Sequence, residues 1–87
     1  MEVGEDLVYL RQTQERVMAN TRLLRSHIHR IAQGRRSFVT DLDTLADGIG
    51  IDSEDVRTAA AVLMLNEDIA DILPAPGGKF TVLLQAY

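Results

Sequence analysis

The feature that most constrains the fold is a stretch, residues 5–33, that contains neither glycine nor proline and repeats its apolar residues at helical spacing. The apolar positions alternate in steps of four and three, as in a heptad seam, if Gln14 and Thr21 occupy two polar positions. The apolar members of the seam are Val3, Leu7, Leu10, Val17, Leu24, Ile28 and Ile31. We therefore predict one long N-terminal helix that stops at Gly34.

A continuous helix of this length measures ~43 Å, against a radius of gyration of ~12 Å for a compact globule of this size. We expect its N-terminal half to protrude and to bury its seam against a second copy of the chain. The predicted dimer interface comprises Leu7, Leu10, Gln14, Val17, Thr21 and Leu24. The alternative is a break at Asn20 and Thr21, which can cap a second helix and let the first half fold back.

Charge is distributed unevenly along the chain. Residues 11–36 hold seven arginines and a single acid, Glu15, whereas residues 37–87 hold nine acids against only Arg57 and Lys79. This asymmetry, within a net charge of −4, indicates an electrostatic partner for the basic segment. The alternative is that arginine serves there as a good helix former on a solvated face.

Two short helices are predicted after the long one. Thr40 is positioned to cap the first of them, with Asp43 at its third position as in a capping box, and the helix ends before the glycines of residues 48–50. The acids and serine of residues 52–55 begin the next helix, which runs to about Leu65, because acids at a helix N-terminus are favoured by the helix dipole.

The last third of the chain changes to a strand pattern. Residues 69–73 and 79–85 are rich in Ile, Val, Leu, Phe and Thr, and the proline and glycine residues of 74–78 separate them. Two such runs around a Pro/Gly turn predict a β-hairpin. The fold class is therefore mainly α with a C-terminal β-hairpin.

The packing residues of the two short helices carry a family resemblance. An apolar residue is followed by a small one, a glycine turn lies between two apolar anchors, and the next helix presents an apolar inner face. These positions are Leu45, Ala46, Ile49, Gly50, Ile51, Val56 and Ala59. In this pattern, residues 37–85 resemble the winged-helix superfamily. With the helix predicted from the periodicity, the chain is expected to comprise an N-terminal helix, residues 1–34, and a winged helix-turn-helix domain, residues 35–87.

Winged-helix proteins place the second helix of the pair in the DNA major groove, and the hairpin, or wing, contacts the backbone. Here acids outnumber the single Arg57 on that helix, and duplex DNA carries one negative charge per ~1.7 Å, so reading of bases by this helix is disfavoured. We expect the long helix to supply most phosphate contacts. The predicted DNA-binding residues are Arg22, Arg25, Arg30, Arg35, Arg36, Arg57 and Lys79.

The sequence thus predicts a small, cytoplasmic, dimeric winged-helix protein that acts as a DNA-associated transcriptional regulator. The alternative is an adaptor or inhibitor of the same fold whose acidic second helix docks on a basic protein. We expect no enzyme activity, cofactor, metal or small-molecule substrate. The chain has no cysteine, and its two histidines, His27 and His29, point about 160° apart on a helix and cannot share a metal. No apolar run approaches the ~20 residues that a membrane span needs.

Overall fold

A computed structural model describes the backbone of residues 3–85 and the side chains of residues 10–85. The protein is mainly helical and carries a small antiparallel sheet of three strands. In chain order the elements are α1 (Val3–Ala32), β1 (Ser37–Thr40), α2 (Leu42–Ile49), α3 (Ser53–Leu65), β2 (Ile69–Ala75) and β3 (Lys79–Leu84), with a 3-10 turn (Pro76–Gly78) between the last two. No helix in the described part of the chain combines the length and apolar character needed to cross a membrane.

Helix α1 is continuous over its whole length, so the alternative of a break at Asn20 and Thr21 is wrong. Both residues are buried, and the Thr21 hydroxyl donates a hydrogen bond of 2.6 Å to the Val17 carbonyl oxygen one turn earlier. That bond satisfies the Thr21 hydroxyl within the helix. A capping side chain would instead accept a hydrogen bond from a free amide at the start of a new helix. The helix ends before Gln33 and Gly34, which both have positive φ.

Helix α2 begins later and ends later than the sequence predicts. Its N-cap is Asp41, whose Oδ1 accepts a 2.7 Å hydrogen bond from the Thr44 amide. The prediction of Thr40 as the cap is wrong because Thr40 is the last residue of β1 and is buried. Gly48 lies inside the helix rather than ending it, and the left-handed residue that ends the helix is Gly50, with φ of 71°.

The predicted hairpin is confirmed as β2 and β3, and a strand that the sequence analysis did not predict, β1, joins it. The order across the sheet is β1-β3-β2, with β3 paired antiparallel to both neighbours. Ser37 faces Leu83 across the first pair of strands, and Ala75 faces Lys79 across the second. Pro74 lies in the edge strand β2, where its missing amide hydrogen costs no ladder bond to a further strand.

One hydrophobic core joins the helices to the inner face of the sheet. It includes the C-terminal half of α1 and one face of each other element: Leu24, Ile28, Ala32, Phe38, Leu45, Ala46, Val56, Ala59, Leu63, Ile69 and Val82. Toward its N-terminus α1 leaves this core, and the Leu10 side chain is 61% exposed. The longest dimension of the molecule, 49 Å, accommodates the length of α1.

Candidate nucleic-acid interface

Five of the seven arginines and lysines predicted to bind DNA lie in the C-terminal half of α1 and in the connection from α1 to β1. We call this set, formed by Arg22, Arg25, Arg30, Arg35 and Arg36, the arginine surface. All five side chains are exposed. Arg22 and Arg30 are eight residues apart on α1, which corresponds to about 12 Å along the helix axis. The surface continues into the connection from α1 to β1, which carries Arg35 and Arg36. The backbone of residues 22–36 therefore positions all five arginines.

Two members of the arginine surface have contacts that fix their orientation. Arg25 Nε lies 3.4 Å from Asp68 Oδ1, which links α1 to the residue just before β2. Arg35 Nε donates a 3.1 Å hydrogen bond to the Ala32 carbonyl oxygen at the end of α1. A cation is favoured there because the last carbonyls of a helix are unsatisfied and carry partial negative charge.

The remaining three arginines, Arg22, Arg30 and Arg36, form no ion pair within residues 10–85. The Arg36 backbone is nevertheless fixed, because its carbonyl oxygen accepts a 2.7 Å hydrogen bond from the Leu84 amide in β3. A cleft of about 300 Å³ lies beside this bond, lined by His29, Ala32, Gly34, Arg35, Arg36, Leu84 and Gln85. The arginine surface therefore combines a concave feature at its edge with three guanidinium groups that have no carboxylate partner among residues 10–85.

The structure does not bring Arg57 and Lys79 to the arginine surface. Lys79 starts β3 at the hairpin tip, whereas Arg36 adjoins the far end of that strand. There Lys79 faces Asp41, and the pKa of Asp41 is held below its ordinary value mainly by hydrogen bonding to Thr44 and, to a smaller extent, by the Lys79 charge. Arg57 lies on α3, and its Nη1 atom is 3.8 Å from Glu54 Oε1.

The outward face of α3 offers little to a phosphate backbone. Its N-terminal turn is acidic, with Glu54 exposed, and its C-terminal turn is apolar, with Leu65 82% exposed. The Thr58 hydroxyl, which would otherwise be free to donate to a phosphate, donates a 3.1 Å hydrogen bond to the Glu54 carbonyl oxygen. Because the one cation on this face is beside a carboxylate, the helix presents no net positive charge to DNA.

The structure divides the predicted dimer seam into two parts. Leu24 is buried in this chain's own core and Thr21 is buried as well, which leaves little of either side chain for contact with a second copy. Leu10 and Gln14 are exposed and Val17 is half-buried, whereas the Leu7 side chain lies outside the described residues. Among the described side chains, the part of the seam left for a second copy therefore comprises Leu10, Gln14 and Val17. Arg16 marks the boundary, because its NH2 lies 3.6 Å from Asp55 Oδ1 on α3.

A second concave feature lies between α3 and the β2–β3 hairpin, and the sequence analysis did not predict it as a site. We call it the α3–hairpin cleft. Its volume is about 300 Å³, and its lining is almost entirely apolar. The sequence signal for it is weak, because apolar residues on facing elements are expected to fill a core rather than to leave a cleft. The small side chains of Ala60 and Ala61 on α3 are the only local hint.

Neither histidine belongs to a metal site in the described part of the chain. Within residues 10–85, no three His, Asp or Glu side chains are grouped so that they can hold a metal ion. His27 packs against α2, and His29 lies at the edge of the arginine surface.

Comparison with known proteins gave no match. No protein-family model matches the chain, and neither do the curated proteins or the solved structures compared with it. What the protein does is therefore inferred from the side chains and surfaces described above.

Proposed function

We propose that the protein is a small winged-helix, DNA-associated regulator that works as a homodimer and holds the phosphate backbone mainly through the arginine surface. The fold supports this in its coarse features: a long helix, a pair of shorter helices and then a hairpin. This is the order of elements that the resemblance at Leu45, Gly50 and Val56 implies. On this proposal α3 is the second helix of the pair and the β2–β3 hairpin is the wing.

The observation that carries the proposal is the concentration of exposed guanidinium groups on the arginine surface. Arg22, Arg30 and Arg36 have no carboxylate partner within residues 10–85, so no internal ion pair must be broken before they contact a polyanion. Each phosphate neutralised by such a group releases condensed counterions, which is the main source of sequence-independent affinity for DNA.

The mode of binding follows from the contrast between the arginine surface and α3. Phosphate contacts position a protein on the duplex, whereas contacts to base edges specify a sequence. The acidic first turn of α3, in a helix that has a single cation, Arg57, disfavours insertion of this helix into a groove. We therefore infer attachment that is led by charge and DNA shape, with little preference for sequence.

The dimer is supported by the exposure of Leu10 on the part of α1 that leaves the core. An apolar residue at a seam position of a continuous helix is typical of helix–helix association. Two copies joined there carry two arginine surfaces, which doubles the number of phosphates that one particle neutralises. Avidity of this kind raises the affinity without any new contact.

The test is binding of the full-length protein to a random-sequence duplex, measured by fluorescence anisotropy over a series of salt concentrations. The triple variant Arg22→Ala/Arg30→Ala/Arg36→Ala removes three charges from the arginine surface. The matched control, Arg11→Ala/Arg57→Ala/Lys79→Ala, removes three charges elsewhere. For the first variant we expect a shallower plot of the logarithm of the association constant against the logarithm of the salt concentration. The magnitude of its slope should decrease by about 0.9 for each phosphate that the protein no longer neutralises.

The control variant is expected to keep most of the salt slope of the wild-type protein, because its three residues are away from the arginine surface. If both variants reduce the slope by the same amount, binding is a diffuse effect of net charge, and the assignment to the arginine surface is wrong. If the wild-type protein does not bind duplex DNA even at low salt, the proposed function itself is wrong.

A second function is favoured by the unusual face of α3, on which the acidic Glu54 and the 82% exposed Leu65 lie at opposite ends. Such a face fits a basic amphipathic helix of a protein partner, and the chain would then be an adaptor. Titration with a synthetic basic amphipathic peptide tests this. The adaptor function predicts NMR shifts on α3 that Leu65→Asp abolishes, with the amides of the arginine surface unchanged.

A further inference from the structure

The α3–hairpin cleft has the properties of a ligand site rather than of a packing defect. It is open to solvent, it has a volume of about 300 Å³, and it lies between a helix and a hairpin. Its lining residues are Leu24, Ile28, Leu42, Leu45, Val56, Arg57, Ala60, Ala61, Met64, Ile69, Ile72, Phe80 and Val82. All but one of these are apolar. Ligand pockets typically have volumes from about this size upward and are lined mainly by apolar side chains.

The floor of the cleft belongs to the buried core, and its walls are accessible. Val56 and Val82 form part of the floor and belong to the buried core, with 0% and 2% exposure. Met64, Ile72 and Phe80 line the cleft and remain partly exposed. The cleft stays open on the α3 side because Ala60 has no side chain beyond Cβ to fill it. A small apolar molecule can therefore reach the walls without unfolding the core.

Water gains little by occupying a cleft of this kind. A bound water needs two to four polar partners, and an apolar cavity of only about 150 Å³ already binds small hydrocarbons in preference to water. The apolar part of a ligand would therefore lie against Met64, Ile72 and Phe80, where it removes apolar surface from water.

The single charged residue in the lining determines what the polar end of the ligand should be. Arg57 lies at the rim, and its guanidinium is 3.8 Å from Glu54, with side-chain exposures of 66% and 84%. An exposed ion pair at this distance contributes little to stability, so a competing anion displaces Glu54 at small cost. Guanidinium groups bind carboxylates with two parallel hydrogen bonds, and the Glu54 carboxylate already lies beside this guanidinium, so a carboxylate head group matches the position.

We propose that the α3–hairpin cleft binds one small amphipathic carboxylate, with its hydrocarbon part against Met64, Ile72 and Phe80 and its carboxylate on Arg57. This site is separate from the arginine surface and does not depend on DNA binding. Nothing in its chemistry requires a covalent step, so the site is for binding alone.

The test is a ¹H–¹⁵N NMR titration of the full-length protein with decanoate, and in parallel with decanol, which has the same chain and no charge. We expect saturable binding of decanoate, with the largest shifts at the amides of residues 60–64, Ile72 and Phe80. Arg57→Gln should weaken decanoate binding about five-fold, which corresponds to about 1 kcal/mol, and should leave the affinity for decanol unchanged. Arg22→Gln, which removes a guanidinium from the arginine surface, is the matched control and should change neither.

A second variant tests the location independently of charge. Ala60→Leu places a larger apolar side chain in the cleft and should weaken decanoate and decanol alike by about ten-fold or more. If this variant does not fold, Arg57→Gln still decides the assignment of the carboxylate. Equal effects of Arg57→Gln on both ligands would overturn the carboxylate as the head group.

Three results would overturn the site itself. The first is a titration that does not saturate. The second is a set of shifts centred on the α1 seam around Leu10 and Val17 rather than on the cleft. The third is a set of cleft shifts that vary with protein concentration in the absence of ligand, because a second copy of the chain would then be the occupant.

Discussion

The imidazole ring of His27, on α1, occupies the space that a side chain on Gly48, in α2, would need. A Cβ placed on Gly48 would approach the ring within 2.7 Å of His27 Cε1, closer than such atoms approach one another in folded proteins. This packing brings α2 against α1 and explains why a residue with poor helix propensity lies inside an eight-residue helix. The glycine is there for close packing between two helices.

The first prediction concerns this pair. Gly48→Ala alone should change stability little, because a gain of up to ~1 kcal/mol in helix propensity is offset by displacement of the His27 ring. In a His27→Ala background the same substitution should stabilise the protein by most of that amount. A double-mutant cycle measured by urea unfolding should therefore give a coupling of about 1 kcal/mol. Additivity of the two substitutions would mean that the ring does not limit residue 48.

The second prediction concerns the N-cap of α2. Asp41→Ala removes the acceptor for the Thr44 amide and should lower Tm by a few degrees at neutral pH. Asp43→Ala, the control, removes an acid from the same turn, together with an exposed 3.3 Å hydrogen bond from Ser53, and leaves the cap in place. Thermal unfolding followed by circular dichroism compares the two. Equal decreases in Tm would indicate a general effect of charge rather than capping.

The same pair of variants has a defined pH dependence. In the folded protein, the hydrogen bonds from Thr44 hold the pKa of Asp41 below 3.8, the ordinary value for this side chain. At pH values above the unfolded-state pKa, the ionised Asp41 carboxylate therefore stabilises the folded protein. This stabilisation is lost as the pH falls through the folded-state pKa, which is the lower of the two. The gap in Tm between wild type and Asp41→Ala should be constant at neutral pH and should narrow below about 3.8. A gap that stays constant at acid pH would contradict ionic capping.

The third prediction tests the core through two leucines on α3. Leu63 is 1% exposed and Leu65 is 82% exposed, although both are leucines of the same helix. Leu63→Ala should cost about 2–5 kcal/mol, because it removes buried methyl groups and leaves a cavity. Leu65→Ala should change stability by less than about 0.5 kcal/mol. Denaturant titration measures both, and a large destabilisation by Leu65→Ala would place that side chain inside an interface.

Local signals in the sequence were sufficient for α3 and for the hairpin. The acids of residues 52–55 and the turn at Pro76–Gly78 act on residues close to them in the chain, so pattern and structure agree. Strand β1 has no comparable signal. It is only four residues long, and it forms because Phe38 and Ser37 pair with Val82 and Leu83, far along the chain. Pairing over such a separation leaves no local trace beyond the exposed–buried alternation of the strand.

The sequence was sufficient to predict which residues belong to the candidate interface but not how these residues are arranged in space. Exposure of Arg22, Arg25 and Arg30 follows from the helical pattern, because they lie off the apolar seam. The separation of Lys79 from Arg36 depends on their positions at opposite ends of β3, and the pairing of Arg25 with Asp68 depends on how α1 crosses the start of β2. These are tertiary relationships. The α3–hairpin cleft is another, because apolar residues that line a cleft and those that fill a core have the same sequence pattern.

The fourth prediction concerns self-association through the part of α1 that leaves the core. Leu10→Asp places a charge at an exposed seam position and should convert the dimer to monomers, since a buried unpaired carboxylate is strongly disfavoured. Leu23→Asp is the matched control: Leu23 is 50% exposed and lies about 140° around the helix from Leu10, away from the seam. Size-exclusion chromatography with light scattering over a range of concentrations gives the masses. We expect a dimer for wild type and Leu23→Asp and a monomer for Leu10→Asp.

The monomer should also bind duplex DNA more weakly, because it carries one arginine surface instead of two. A wild-type monomer at every concentration, or an unchanged mass for Leu10→Asp, would show that the exposed seam does not join two copies.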